Sequence, residues 1–216
     1  MDDFIRGEID AEITEDEDSS IYLSIGDLMS GLLMFFALLF ITVLLQLAER
    51  GAPKNDVIEN VMQQMKSNNI NVKVNPDTGD VSIEESILFA KGSAELKPEG
   101  KAFLRRFIPV YSGVIFSKRE FDKEISRVVI EGHTSSEGDD KTNLQLSVMR
   151  SSSVYKYIFY DIDFPTKSPL NQKILAAGRG EIEADQTLDN PGDRKVVFRF
   201  QFRSDELKPD ITKTSH

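Results

Sequence analysis

The chain has 216 residues, 40% hydrophobic and 29% charged, enough for one medium-sized folded domain with appendages. It has no cysteine and only two histidines, which excludes disulfides and thiolate metal sites and argues against a histidine-built metal centre. The net charge of −10 is concentrated in residues 1–20, which hold nine acidic side chains and one basic one. Such a polyanionic segment argues against nucleic acid as a partner.

Residues 1–20 form an acidic tail with few large apolar side chains. We expect this tail to be disordered, with a short solvated helix as the alternative. It does not resemble a signal peptide, because a signal peptide begins with a basic region.

Residues 21–48 form a predicted transmembrane helix. No charged residue occurs from Leu28 to Ala48, a run of 21. At about 1.5 Å per residue this run covers about 30 Å, the thickness of the hydrocarbon core of a bilayer. A helix buried in a soluble domain would carry a polar stripe at helical spacing, and this segment has too few polar residues to make one.

Asp27 directly precedes this uncharged run, and Ile21, Tyr22 and Leu23 precede Asp27, so it lies inside the predicted span. Inserting a carboxylate there costs about 2.5–3.5 kcal/mol, so its side chain should face protein or water. It can then load and unload protons, although an interfacial residue that only marks the end of the helix is the alternative. A single helix cannot conduct ions by itself, so a proton role requires further membrane helices.

Residues 49–69 are predicted to be a linker with a short amphipathic helix. Gly51 and Pro53 are expected to break the helix that precedes them. The helical stripe that follows needs a partner or a surface, and a second copy of this chain is one candidate; the stripe consists of Val57, Ile58, Val61, Met62 and Met65.

Residues 70–203 alternate between strand and helix patterns, which predicts an α/β domain, and residues 204–216 form a C-terminal tail. The predicted order is a hairpin around the turn 75–79, helix 94–111, strand 127–130, helix 142–160, and strands 173–177 and 195–202. The inward side chains of helix 142–160 are predicted to be Leu146, Met149, Val154, Tyr157 and Ile158.

The segment GDLMSGLLMFF resembles the single helix of the stator B family of flagellar motors and, more closely, that of the stator B-like component of the Zorya anti-phage defence system. The resemblance implies that Asp27 carries the ion, either a proton or sodium. It also implies a dimer of this chain within a ring of five multi-span, stator A-like partner subunits.

The second resemblance covers residues 70–203. The segments ILFAKGSAELKPEGKAFLRRF, VVIEGHTSSEGDDKTNLQLSVMRSSSVYKYI and GRGEIEADQTLDNPGDRKVVFRF resemble the OmpA-like peptidoglycan-binding domain in order and spacing. This implies a mixed sheet with helices packed on one face, and peptidoglycan as a partner. The implied ligand-binding residues are His133, Thr134, Ser135, Thr142, Asn143, Leu146, Ser147, Arg150, Asp193 and Arg194.

The residue types suit a stem peptide, which presents carboxylates and amines on an extended polar chain. Arg150 can clamp a carboxylate with two donors, and Asn143 can both donate and accept. The alternative makes Asn143 a helix cap and Arg150 part of an internal or solvated salt bridge. Ser135 stands where the resembled family usually has an aspartate that receives an ammonium group. Nearby acids that could replace that charge are Glu137, Asp139 and Asp140.

Topology has conflicting signals. Only Arg6 precedes the predicted span, whereas Arg50, Lys54 and Lys66 follow it, which by itself favours a cytoplasmic C-terminus. The resemblance implies the opposite: a cytoplasmic tail, a single span in the bacterial inner membrane among its lipids, and a periplasmic domain. We adopt the orientation that the resemblance implies.

No phosphate-binding glycine loop, serine elbow or metal-ligand pair appears, so we expect neither an enzyme nor a cofactor. The leading hypothesis is an ion-translocating, wall-anchored subunit of a proton-driven motor complex used in anti-phage defence. The alternatives are a flagellar stator subunit, against which the acidic tail argues, and a non-conducting tether between membrane and wall.

Overall fold

The computed structural model describes the backbone of residues 2–206 and the side chains of residues 25–46 and 54–205. The chain divides into two compact units, Met1–Arg50 and Gly51–His216. The first belongs to one long helix, and the second contains the sheet and the remaining helices.

The first helix, α1, is Asp2–Ser67. The acidic segment is helical from Asp2 onward, so its backbone follows the predicted alternative, a helix, and not the predicted disorder. The side chains of this segment lie outside the described residues. Within α1 the segment Ile25–Gln46 is apolar enough to cross a membrane, with 22 residues and a mean hydropathy of 2.6. Every side chain in this segment is exposed. This is expected for a membrane helix in the absence of the lipid or partner helices that would cover it.

The predicted helix break at Gly51 and Pro53 is wrong, because both residues lie within α1. A helical glycine costs about 1 kcal/mol relative to alanine, and proline costs about 3 kcal/mol because it removes one backbone hydrogen bond. The turns that follow offset these costs by burying their apolar side chains.

The apolar stripe at the end of α1 is covered by the domain itself. The side chains of Val57, Ile58, Val61 and Met65 are at most 4% exposed and belong to the main hydrophobic core, whereas Met62 is 42% exposed. The segment predicted to be a linker is therefore the first helical part of the folded unit, which begins at Gly51 and not at residue 70. No second copy of the chain is needed to cover this stripe.

A five-stranded mixed sheet has the order β1-β2-β5-β3-β4. Strands β3 and β4 are parallel, and the other neighbouring pairs are antiparallel. The hairpin predicted around residues 75–79 joins β1 to β2, and Gly79 adopts a φ of +74°, which glycine tolerates without steric cost. The strands are β1 Lys73–Val74, β2 Val81–Glu84, β3 Ile125–His133, β4 Ile174–Gly180 and β5 Lys195–Phe202.

The two long helices of the domain match the predicted helices 94–111 and 142–160, with shifted ends. The first begins at Pro98, which occupies its first turn where no backbone N–H is needed, and the second continues as a π-helical turn, Tyr157–Asp161. The helices are α2 Glu85–Leu88, α3 Pro98–Ile115, α4 Arg119–Glu124, α5 Asp140–Lys156, α6 Lys167–Lys173 and α7 Arg203–Glu206.

Helix α5 differs from its prediction in the face that it buries. Val154 is buried within α5, and Tyr157 and Ile158 are buried in the π-helical turn that follows, as predicted, but Met149 is 58% exposed and Leu146 is only half-buried. The rest of the buried face is polar or small: Asn143, Ser147, Arg150 and Ser151. A hydrophobic pattern cannot predict such a face, because its contacts are hydrogen bonds and close backbone packing.

Helix α5 packs closely on β3 and β4 through two glycines. A Cβ atom at Gly132 would lie 2.1 Å from the Ser147 carbonyl oxygen, and one at Gly178 would lie 2.5 Å from the Ser147 Oγ atom. Larger residues would push the helix away from the sheet. This close approach brings the first turn of α5 against the loop that follows β3.

Candidate functional site

Asn143 fixes the loop after β3 to helix α5. Its Nδ2 atom donates to the carbonyl oxygens of Ser135, at 3.3 Å, and Glu137, at 3.2 Å, and also to the Glu181 carboxylate. The helix cap is instead Asp139, whose carboxylate accepts from the Thr142 backbone N–H at 3.1 Å. These bonds hold the first turn of α5 to the loop after β3, and the alternative in which Asn143 caps the helix is wrong.

Arg150 is 2% exposed and forms a buried ion pair with Glu85 at the start of α2. Its Nε atom donates to the Ser93 carbonyl oxygen at 3.0 Å, and its guanidinium lies over the Phe89 ring. Burial lowers the pKa of Arg150, and the neighbouring Glu85 carboxylate opposes that shift. The observed contacts of Arg150 are those of the predicted alternative, an internal salt bridge.

Arg194 meets the same carboxylate from the other side. Its Nε atom lies 3.2 Å from Oε2 of Glu85, whereas Arg150 contacts Oε1. Glu85 thus bridges two guanidinium groups, each with a separate carboxylate oxygen. Charged pairs with this geometry are among the stronger polar contacts in proteins.

Ser135 lies 3% exposed next to Arg194, within a small acidic group. Its hydroxyl accepts from Nη1 of Arg194 at 3.1 Å, and the same Nη1 atom lies 2.9 Å from the Asp189 carboxylate and 3.6 Å from that of Glu137. A hydrogen bond from Ser135, together with Arg194, lowers the pKa of Asp189. The negative charge around Ser135 is therefore supplied by Glu137, as one of the predicted replacements, and by Asp189.

A groove of the domain opens onto this cluster. It is lined by the β2–α2 junction, by the segment after α2 and by the turn before β5. Lys91 extends over its edge and forms an ion pair with Glu137 at 3.2 Å. The lining residues that bear charge are Glu84, Glu85, Lys91, Lys97 and Arg194.

The remaining predicted ligand residues near α5 have mainly structural contacts. Ser147 is fully buried, and its hydroxyl accepts from the Gly180 backbone N–H at 3.0 Å. Thr142 is exposed at the capped first turn of α5, Thr134 is 3% exposed, and Asp193 accepts from the Asp185 backbone N–H at 2.9 Å. These contacts shape the loops that surround Arg194.

His133 lies on the opposite face of the sheet. Along β3, Ile130 and Gly132 face the core and α5, so Glu131 and His133 face away from them. The His133 ring is 2% exposed, with Nε2 at 3.5 Å from Glu131 and Nδ1 at 3.8 Å from Glu183. Arg199 contacts both of these carboxylates. The structure thus separates His133 from the cluster around Arg150.

Sequence reasoning missed Glu85 and Asp189 as members of the cluster. Asp189 stands four residues before Asp193 in the same matched segment, so an acidic residue close to the Asp193-Arg194 pair was the available signal. Glu85 carries no such signal, because its contact with Arg150 spans 65 positions of the chain.

Asp27 is exposed on α1, the third residue of the candidate span. The nearby Ser30 hydroxyl donates to the Gly26 carbonyl oxygen of its own helix at 2.8 Å. Asp27 is thus placed on an apolar helix surface, where a carboxylate requires protein or water as its neighbour.

Comparison with known proteins found matches both to the folded unit and to most of the chain. The OmpA family matches residues 88–197 of this chain. The chain is 29% identical over 214 residues to the Zorya protein ZorB of one Escherichia coli strain, covering 86% of this chain and 89% of that protein. A Zorya protein ZorB of a second E. coli strain is 25% identical, with 88% of this chain and 83% of that protein covered.

Two further relatives concern the folded unit. The outer membrane protein A of Serratia odorifera is 32% identical over 111 residues, covering 51% of this chain and 40% of that protein. The crystal structure of a MotB-like protein of Desulfovibrio vulgaris superimposes with a TM-score of 0.52 at 18% identity, covering 71% of this chain and 94% of that chain. The predicted fold, a mixed sheet with helices after one apolar helix, is thereby confirmed, and the chain belongs to the OmpA family.

Proposed function

We propose that this chain is the wall-anchored, ion-translocating subunit of a proton-driven inner-membrane motor complex that acts in anti-phage defence. The observation that carries the proposal is its similarity to the Zorya protein ZorB, which extends over 86% of this chain. One polypeptide joins an apolar helix with a single carboxylate to a domain of the OmpA family.

In this proposal Asp27 accepts and releases the ion that crosses the membrane. A single membrane helix cannot conduct ions by itself, so further membrane helices are required. We propose two copies of this chain within a ring of multi-span partner subunits, as the resemblance to stator B subunits implies. The ion is a proton, with sodium as the other candidate. The folded unit lies in the periplasm and holds the chain against peptidoglycan, so that the partner ring turns around it.

The replacement Asp27→Asn tests the ion-carrying role, because it keeps the size of the side chain and removes its titration. In cells that carry this gene with its neighbouring genes, we expect the variant to lose all protection against phage in a plaque assay. Asp27→Glu keeps a carboxyl and is expected to retain part of the protection. Asp56→Asn makes the same charge change on an exposed position of α1 outside the span and serves as the matched control.

Full protection by Asp27→Asn, at normal membrane levels of the protein, would refute ion transfer and leave a non-conducting tether as the function. A tether would still require the folded unit. Loss of swimming in a strain that lacks this gene, with phage resistance unchanged, would favour a flagellar stator instead.

Wall anchoring is tested by co-sedimentation of the full-length protein, in detergent micelles, with purified peptidoglycan sacculi. We expect the protein to pellet with sacculi and to stay in solution without them. Arg194→Ala is expected to reduce pelleting, because it removes a guanidinium that faces the groove. A wild-type protein that never pellets at any sacculus concentration would contradict the anchoring role.

A further inference from the structure

The Glu85 carboxylate lies between Arg150 and Arg194 at the inner side of the groove. A planar guanidinium binds a carboxylate through paired N–H donors, so two guanidinium groups that converge on one point form a carboxylate subsite. In this structure the chain itself supplies the carboxylate. The side chain of Glu85 is 9% exposed, compared with 52% for its neighbour Glu84, which pairs with Lys73 away from both arginines.

The occupied subsite leaves few donors for a ligand. Arg150 is 2% exposed, with its Nε atom bonded to Ser93 and its Nη2 atom to Glu85. Arg194 uses Nε for Glu85, and its Nη1 atom contacts Ser135 and Asp189. An anionic ligand therefore meets arginines whose charge is already balanced.

The surroundings allow the Glu85 side chain to leave without unfolding the domain. The backbone of Glu85 is held separately, because its N–H donates to the Arg194 carbonyl oxygen at 2.9 Å. Helix α2 is a single four-residue turn, Glu85–Leu88, whose N-terminus has no side-chain cap. Lys91 and Lys97 line the same groove and offer positive charge to a carboxylate that rotates outward.

We propose that Glu85 is an internal occupant of the carboxylate subsite, and that a peptidoglycan stem peptide binds by placing one of its own carboxylates between Arg150 and Arg194 in exchange for Glu85. This inference rests on the proposed wall anchoring. It makes Glu85 a residue that sets affinity: the wild-type domain binds the wall weakly, and removing the Glu85 charge strengthens binding.

The test is co-sedimentation of full-length protein in detergent micelles with purified sacculi, for the wild type, Glu85→Gln and Glu84→Gln. The apparent affinity of a site is reduced by the fraction of molecules in which it is free, and minor states typically make up about 0.1–10%. We therefore expect Glu85→Gln to reach half-maximal pelleting at an about tenfold or more lower sacculus concentration. Glu84→Gln removes the same charge from the lining of the same groove without freeing either arginine, so its half-maximal sacculus concentration should fall far less than that of Glu85→Gln.

Glu85→Asp guards against a folding defect, because it keeps the countercharge but withdraws it by one methylene group. It is expected to bind more tightly than the wild type and less tightly than Glu85→Gln, with cooperative thermal unfolding retained. Wild-type or weaker binding by folded Glu85→Gln and Glu85→Asp overturns the inference, while wall anchoring stands if the wild type still pellets. Wall anchoring fails when none of the proteins pellets.

A measurement on the unaltered protein decides the case in which both variants unfold. Soluble muropeptides released from the same sacculi should compete with sacculi for the wild type. The same muropeptides with their carboxyl groups amidated should not compete, because they have nothing to exchange for Glu85. Equal competition by both preparations overturns the inference.

Discussion

The apolar segment Ile25–Gln46 and the folded unit handle polar side chains in opposite ways. In the apolar segment every side chain is exposed, and Asp27 is its one charged residue. In the folded unit, Arg150 and Glu85 are both under 10% exposed and neutralise each other. One region carries a carboxylate on an exposed apolar surface, and the other encloses the Arg150–Glu85 pair.

This difference shows where each region must find its function. A carboxylate on an apolar helix is costly until other membrane helices or water surround it, so in the proposed function Asp27 acts only together with partner subunits. In the folded unit the buried Arg150 already pairs with Glu85, so in the proposed exchange a ligand carboxylate takes the place of Glu85. An acidic side chain is therefore exposed in the apolar segment, at Asp27, and held between two arginines in the folded unit, at Glu85.

The largest test of this contrast removes the part of α1 that belongs to the folded unit. A fragment that begins at Ile70 lacks four core side chains: Val57, Ile58, Val61 and Met65. Burying each contributes about 1.5–3 kcal/mol, and a domain is stable by only about 5–15 kcal/mol in total. We expect this fragment to show no cooperative thermal unfolding by circular dichroism, whereas the fragment that begins at Gly51 unfolds cooperatively. If the two fragments melted alike, the boundary at Gly51 would be incorrect.

A smaller loss of stability is expected from removing the arginine of the buried Arg150–Glu85 pair. Arg150→Ala leaves Glu85 buried with Arg194 as its remaining partner, and breaking a buried pair costs roughly 3 kcal/mol or more. For a domain of this size about 1 kcal/mol shifts the melting temperature by about 2–4 °C, so a loss of about 6 °C or more is expected. Arg106→Ala, an exposed position on α3, is the control and should melt like the wild type. An unchanged melting temperature for Arg150→Ala would show that this charge is not enclosed.

The smallest effect concerns Asp80, whose carboxylate lies 3.3 Å from Arg199. Burial raises the pKa of Asp80, and Arg199 opposes this shift. The folded protein therefore holds the Asp80 proton more tightly than the unfolded chain does, and this stabilisation is lost as the pH rises through the raised pKa. The melting temperature of the wild type minus that of Asp80→Asn should be more positive at pH 4 than at pH 7.

Asp77→Asn, at an exposed position of the same turn, controls for the loss of one charge. The opposite pH dependence for Asp80→Asn would mean that the ion pair with Arg199 outweighs the burial of Asp80.

Local patterns predicted the main strands and the two long helices of the folded unit, but not the short helices α2, α4 and α6. The uncharged run after Asp27 predicted the apolar helix, and the turn at residues 75–79 predicted a hairpin that the structure contains. The limits of local reasoning appear at Pro53, which lies inside a helix because the turns beyond it are buried, and at Met149, which is exposed. Both outcomes depend on what packs against the helix, which local sequence does not specify.

The amino-acid sequence was enough to predict an apolar helix that carries Asp27 and an α/β domain that contains Arg150 and Arg194. The packing of the folded unit was needed to show that Glu85 lies between those two arginines, that Asp189 lies beside Ser135, and that His133 is on the other face of the sheet. The physical reason is that ion pairs and hydrogen bonds act over a few ångströms. They join residues that are distant in the chain and become neighbours only when the sheet and its helices pack.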